Sequence, residues 1–217
     1  MPINKPRKML FIHIPKTSGT YITEKFRLMH GDLRSGEDCL LGRTKQHYPL
    51  SLIKQILDNR NIDFYNYHIF TVLRNPYDRF ASAFYQHRGN KEFKRMLGKR
   101  SIEDFAQHLI EKVNDDGYDI FWDGPYHQFQ PMNMFIDEKD INIKYYNFGS
   151  EKYYNFIETY CKKFDLPYNK DEIIVNSYEI SEELKNKINF LYKEDLKLYN
   201  NVQNCDTSNS LKKECSS

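Results

Sequence analysis

Residues Pro15 to Thr20 read PKTSGT, which gathers three hydroxyl side chains, a glycine and a lysine into one short stretch. At the mouth of a helix such residues offer backbone N–H groups and hydroxyls to an anion, and the positive end of the helix dipole adds to them. Thr17, Ser18 and Thr20 supply the hydroxyls, Gly19 lets the backbone approach closely, and Lys16 carries a point charge able to reach a leaving-group oxygen. The stretch is not a Walker A loop. That motif has its lysine after the second glycine, whereas Lys16 precedes the one glycine here.

A second candidate anion site lies in LRNPYDRFASAFY, where Arg74 is followed by Ser82 about two helical turns later. A guanidinium and a hydroxyl so spaced can share one phosphate. Taken singly, Arg74 also suits an ion pair with Asp78, and Ser82 suits a small packing position. Their occurrence together with PKTSGT is what makes them a site. Transfer to a hydroxyl further needs a base, and histidine titrates nearest to neutral pH. Of the seven histidines, His47 in KQHYPL is the first candidate because it sits in a polar connection, and His127 in HQFQP is the second. His13 reads as a strand-end packing or hydrogen-bonding residue, while His30, His68, His87 and His108 occupy ordinary positions.

These groups need elements to hold them. The apolar run Met9 to Ile14, PKTSGT, and then Ile22, Phe26 and Met29 at helical spacing predict strand, turn and helix. His68 to Leu73 predicts a second strand, followed by a helix with Asn75 as cap, Pro76 at its first position and Phe80, Ala83 and Phe84 on its buried face. Between them SLIKQILD reads as a helix, so the strands are parallel and joined by crossovers, which brings both turns to one sheet edge. RGNKEFKRMLGKR, with Arg88, Lys91, Lys94, Arg95, Lys99 and Arg100, reads as a basic, solvated connection. Ser101 and Asp104 then form a capping box that opens a helix. Residues 115–131 are expected to form a long aromatic loop contributing to an acceptor pocket. Beyond it the pattern gives a strand at 141–148, a helix at 150–164, a possible strand at IIVN and a closing helix at 182–199. The expectation is an α/β fold: one domain over residues 1–199 with a central parallel sheet flanked by helices, and a polar, flexible tail over 200–217.

Strand-PKTSGT-helix followed by strand-LRNPYDRFASAFY-helix resembles the two donor-binding motifs of the carbohydrate sulfotransferase family, over roughly residues 8 to 199. KQHYPL, HQFQP and LYKEDLKLY match more loosely, and HQFQPMN lacks the glutamine that often follows the proline. The resemblance implies a fold related to P-loop nucleotide kinases and the donor 3'-phosphoadenosine 5'-phosphosulfate (PAPS). It further implies that Pro15 to Thr20 hold the 5'-phosphosulfate with Lys16 near the bridging oxygen. Arg74 and Ser82 would hold the 3'-phosphate, His47 would act as base, and His127 would face the acceptor, a carbohydrate hydroxyl. Sulfuryl transfer, like phosphoryl transfer, is served by positioning and preorganised charge, and no metal is demanded.

Composition narrows the field. With 40% hydrophobic and 29% charged residues the 217-residue chain is globular, and a net charge of +2 gives no field that calls for nucleic acid. No run approaches the roughly 20 apolar residues of a membrane span. Cys39, Cys161, Cys205 and Cys215 have no metal or disulfide spacing, so reduced thiols and a cytoplasmic location are expected. Two other functions use the same cradle: a nucleotide-dependent phosphotransferase, which would require Mg²⁺ and a Walker lysine, and a binding module without catalysis.

Overall fold

The computed structural model describes residues 2–30, 47–87, 91–122, 124–138 and 140–214. Arg88, Cys39 and Cys215 lie outside them. The chain forms strands β1 (Pro2–Asn4), β2 (Met9–Ile12), β3 (Met29–His30), β4 (His68–Leu73) and β5 (Ile143–Asn147) in one sheet of order β3-β1-β2-β4-β5. β2, β4 and β5 run parallel, with Met9 opposite His68 and Ile69 opposite Ile143. β1 pairs antiparallel with both β2 and β3 and so extends one edge of the sheet.

β2 is buried along its whole length and β4 beyond its first residue, as expected of parallel strands covered on both faces. Alternate residues divide between two apolar clusters. Leu10, Ile12, Ile69 and Leu73 pack with helix α2 (Leu50–Asp58) through Leu50, Ile53 and Leu57. Phe11, Phe70 and Val72 pack with α1 (Gly19–Lys25) and α6 (Glu151–Lys163) through Ile22, Tyr153 and Ile157. A third cluster joins α3 (Pro76–His87), α4 (Lys91–Leu97), α5 (Ile102–Asp116) and α7 (Glu182–Leu191) around Phe80, Phe93, Phe105 and Ile188. The last helix, α8, spans Lys193–Glu214.

The central expectations hold. Asn75 Oδ1 accepts the Tyr77 amide at the start of α3, and Ser101 with Asp104 makes the capping box of α5. Several details differ. Met29 belongs to β3, because α1 stops at Lys25 and Arg27 turns the chain with φ of 49°. The basic connection contains α4, whose Phe93 and Leu97, four residues apart, are buried beneath its charges. IIVN forms no strand. The aromatic loop is a succession of 3-10 turns, Tyr118–Trp122, Gly124–Phe129 and Met132–Phe135. The closing helix breaks at Tyr192 and its second part continues past 199, with Val202 packed on the first cluster.

Candidate functional site

Because β2 and β4 are parallel neighbours, the turns that follow them open at the same rim. In the first turn Lys16 and Ser18 take left-handed backbone angles, φ 67° and 71°, while Thr17 between them does not. Alternation of hand turns successive N–H groups toward one side and makes an anion-binding hollow. Thr17 Oγ1 donates to the Ile14 carbonyl at 2.9 Å, so that hydroxyl holds the turn's shape and Thr17 has only its backbone to offer a ligand. Ser18 Oγ is 2.8 Å from the Tyr153 hydroxyl. Thr20 is exposed at the cleft and Pro15 is buried.

Gly19 is constrained by a neighbour that its sequence context does not announce. A Cβ there would lie 1.6 Å from His13 Nε2, so the imidazole of His13 occupies the space where any other residue's side chain would begin. On that side the close approach that Gly19 allows is made by His13, while Gly19 also lines the cleft. His13 in turn stacks on Phe11, centroids 5.3 Å apart, and meets the edge of His47 at 4.3 Å.

His47 Nδ1 lies 2.7 Å from the His13 carbonyl oxygen. A carbonyl only accepts, so Nδ1 carries the proton and the neutral ring holds its lone pair on Nε2. His127 is 6.0 Å from His47 between ring centroids, and its Nε2 accepts from the Gln128 side-chain amide.

Arg74, at the end of β4, is 8% exposed. It donates to the Lys16 carbonyl at 3.3 Å and to the Asn176 carbonyl at 2.9 Å, with its guanidinium over the Phe148 ring. It thereby ties the first turn to the segment 173–176. Burial, and after it the Arg74 charge, bring the Lys16 ammonium down to about pKa 8; burial also lowers Arg74. Asp78 and Tyr178 offset part of the Arg74 charge, and an anion bound between the two cations would favour the protonated form of Lys16.

One cleft of about 430 Å³ is lined by Lys16, Ser18, Gly19, Thr20, His47 and Arg74 together. Ser82 is buried on α3 and does not line it; Gln86, one turn further along the same helix, does. His127 is not part of the lining either, whereas its neighbour Gln128 is. His13, Phe148 and the segment Glu172 to Ile174 complete the walls. Glu172 does not oppose an anion there freely, since Lys25 pairs with it at 2.7 Å. His13 packs at the end of β2, as its sequence position suggested, and it also lines the cleft, at the rim where open α/β sheets bind ligands.

The sequence model described as the sulfotransferase family matches residues 1–201. The chain belongs to the sulfotransferase family. The parallel sheet flanked by helices is the fold expected for this sulfotransferase, and the family assigns it sulfuryl transfer as a class of reaction. Searches of curated proteins and of solved structures gave no match. No helix among the described residues is long and apolar enough to cross a membrane.

Proposed function

We propose that this sulfotransferase moves the sulfuryl group of PAPS to a carbohydrate hydroxyl. The observation that carries the proposal is the convergence of Lys16, Arg74 and His47 on one cleft. In the reaction, the acceptor oxygen attacks sulfur, the bond from sulfur to the bridging oxygen breaks, and the acceptor proton passes to His47 Nε2. The turn from Pro15 to Thr20 holds the 5'-phosphosulfate through its backbone amides, and Lys16 stabilises the charge that gathers on the bridging oxygen. Arg74 takes the 3'-phosphate, with Ser82 one turn before Gln86 on the same helix. His127 bears on the acceptor side through Gln128, which lines the cleft and whose side-chain amide it accepts from. Residues 1–199 form the catalytic unit, and the reaction belongs to a reducing, cytoplasmic setting, in keeping with the buried Cys161 thiol.

Incubation with radiolabelled PAPS and a panel of glycans tests the assignment, and absence of label from every glycan counts against it. Thermal shift separates it from the phosphotransferase reading. At 100 times its dissociation constant a ligand stabilises the native state by about 2.7 kcal/mol. Adenosine 3',5'-bisphosphate is expected to raise the melting temperature and ATP with Mg²⁺ to leave it unchanged; the reverse result favours the phosphotransferase.

A further inference from the structure

The fragment LYKEDLKLY lies far from the cleft in sequence, yet two of its residues reach into the wall beside it. Asp195 on α8 is fully buried, and both its carboxylate oxygens are used by main-chain donors. Oδ2 accepts the Met132 amide at 2.7 Å and Oδ1 the Asn133 amide at 2.9 Å. These are the first two amides of the turn Met132–Phe135, whose preceding residue, Pro131, provides no side-chain cap. Tyr192, three residues before Asp195, donates its hydroxyl to the Phe129 carbonyl at 2.6 Å. The stretch from Phe129 to Asn133 is therefore held from behind at three backbone atoms, and His127 and Gln128 immediately precede it.

The charge that balances Asp195 comes from α3. Arg79 is 1% exposed, and its Nη2 stands 3.6 Å from Asp195 Oδ2, beyond hydrogen-bond length. Its three guanidinium nitrogens have no hydrogen-bond partner among the described residues, and the group lies 5.1 Å from the Tyr192 ring centroid. Arg79 thus acts as a counter-charge, leaving both carboxylate oxygens to the amides. A buried ion pair is a poor device for stability, since apolar residues of equal volume often replace one without loss. Its distinct effect here is positional. α3 is the helix that begins just after Arg74 and supplies Gln86 to the cleft, so the pair joins the rim that holds Lys16 and Arg74 to the opposite wall.

We infer that Arg79 and Asp195, with Tyr192, are positioning residues that fix the wall bearing Gln128 and His127 against α3, and so set where the acceptor hydroxyl lies relative to His47. The inference rests on the transfer reaction proposed above. It is tested by Asp195→Asn, Arg79→Met and Arg79→Lys. The readouts are kcat and KM for the most strongly labelled glycan, calorimetric affinity for adenosine 3',5'-bisphosphate, and amide exchange at Met132 and Asn133. Asp195→Asn removes one charged, buried hydrogen bond and is expected to lower kcat/KM for the glycan by about 10- to 100-fold. Bisphosphate affinity should stay within about twofold, because no donor contact is altered. Arg79→Lys, which keeps the charge, should restore most of what Arg79→Met loses.

Fast exchange at Met132 and Asn133 with unchanged glycan kinetics overturns the inference, as does a parallel loss of bisphosphate affinity. Should Asp195→Asn fail to fold, Tyr192→Phe removes the bond to Phe129 at constant volume, and unchanged glycan kinetics in that variant overturn it equally. If the wild-type protein binds no bisphosphate and labels no glycan, the proposed reaction has failed. Exchange then decides the strut alone: Gln128, Met132 and Asn133 losing protection together in Asp195→Asn supports it, and retained protection overturns it.

Discussion

The rim that carries Lys16 and Arg74 and the wall that carries Gln128 meet at one cleft, but chain geometry assembles them in opposite ways. On the rim, each group stands within a few residues of the end of β2 or β4, and the parallel pairing of those strands is enough to bring the two turns together. The wall is a run of 3-10 turns tethered to residues 62 and 63 positions away in sequence, Asp195 at the amides of Asn133 and Met132 and Tyr192 at Phe129. Backbone hydrogen bonds of a sheet fix the first. A few buried side chains fix the second, and 3-10 turns add little of their own because their internal hydrogen bonds are poorly aligned.

If that contrast is right, changes to the two sides of the cleft separate chemistry from binding. His47→Ala removes the base and is expected to lower turnover by about 10²- to 10⁴-fold while leaving adenosine 3',5'-bisphosphate affinity intact. Single-turnover kinetics with radiolabelled donor, beside calorimetry, measure both, and wild-type turnover would remove His47 from the mechanism. Lys16→Met removes a charge that acts most strongly on the leaving oxygen. Turnover is expected to fall by about 10²- to 10³-fold, with a smaller loss of bisphosphate affinity. Equal losses in the two would make Lys16 a binding residue only.

A third change strains the rim without touching a charge. Gly19→Ala sets a methyl on the His13 ring, where the room is 1.6 Å. Overpacking of this kind costs about 1–3 kcal/mol, read as a lower melting temperature. Adding His13→Ala removes the clash, so the double variant should recover much of the loss, a coupling that only neighbouring residues produce. Additive losses would show that His13 moves aside at no cost.

The same contrast explains what could be read from sequence. Contiguous apolar runs ending in PKTSGT and LRNPYD identify both strands and both turns, because sheet pairing and helix capping act over a few residues. Those signals also found Asn75 and the Ser101–Asp104 box. They did not find α4, since Lys94 and Arg95 mask the pairing of Phe93 with Leu97. IIVN carries β-branched residues but sits over the rim instead of in the sheet, with the Asn176 carbonyl held by Arg74. Nor could spacing reveal that His13 fills the space beside Gly19, that the Thr17 hydroxyl is spent within its own turn, or that Asp195 caps Met132 from α8. Each depends on a contact between distant segments or on the hand of a single backbone angle.

The smallest effect is also the one most specific to the rim. Burial and the neighbouring Arg74 bring free Lys16 to about pKa 8, so the lysine is mostly protonated at pH 7 and mostly neutral at pH 9. A bound phosphosulfate or phosphate favours the protonated form, which raises that pKa in the complex, and binding near pH 8 therefore takes up a proton. The sign follows: donor affinity is close to full at pH 7 and below and falls as pH rises through 8, by about tenfold between pH 7 and pH 9 when binding requires the charged lysine. Calorimetry of adenosine 3',5'-bisphosphate in buffers of different ionisation enthalpy reads the proton uptake directly. Lys16→Met should abolish the uptake and flatten the pH profile over that range, whereas Asp195→Asn, on the other wall, should leave both as they are. A profile unmoved by Lys16→Met would place the titrating group elsewhere in the cleft and detach the rim's electrostatics from this lysine.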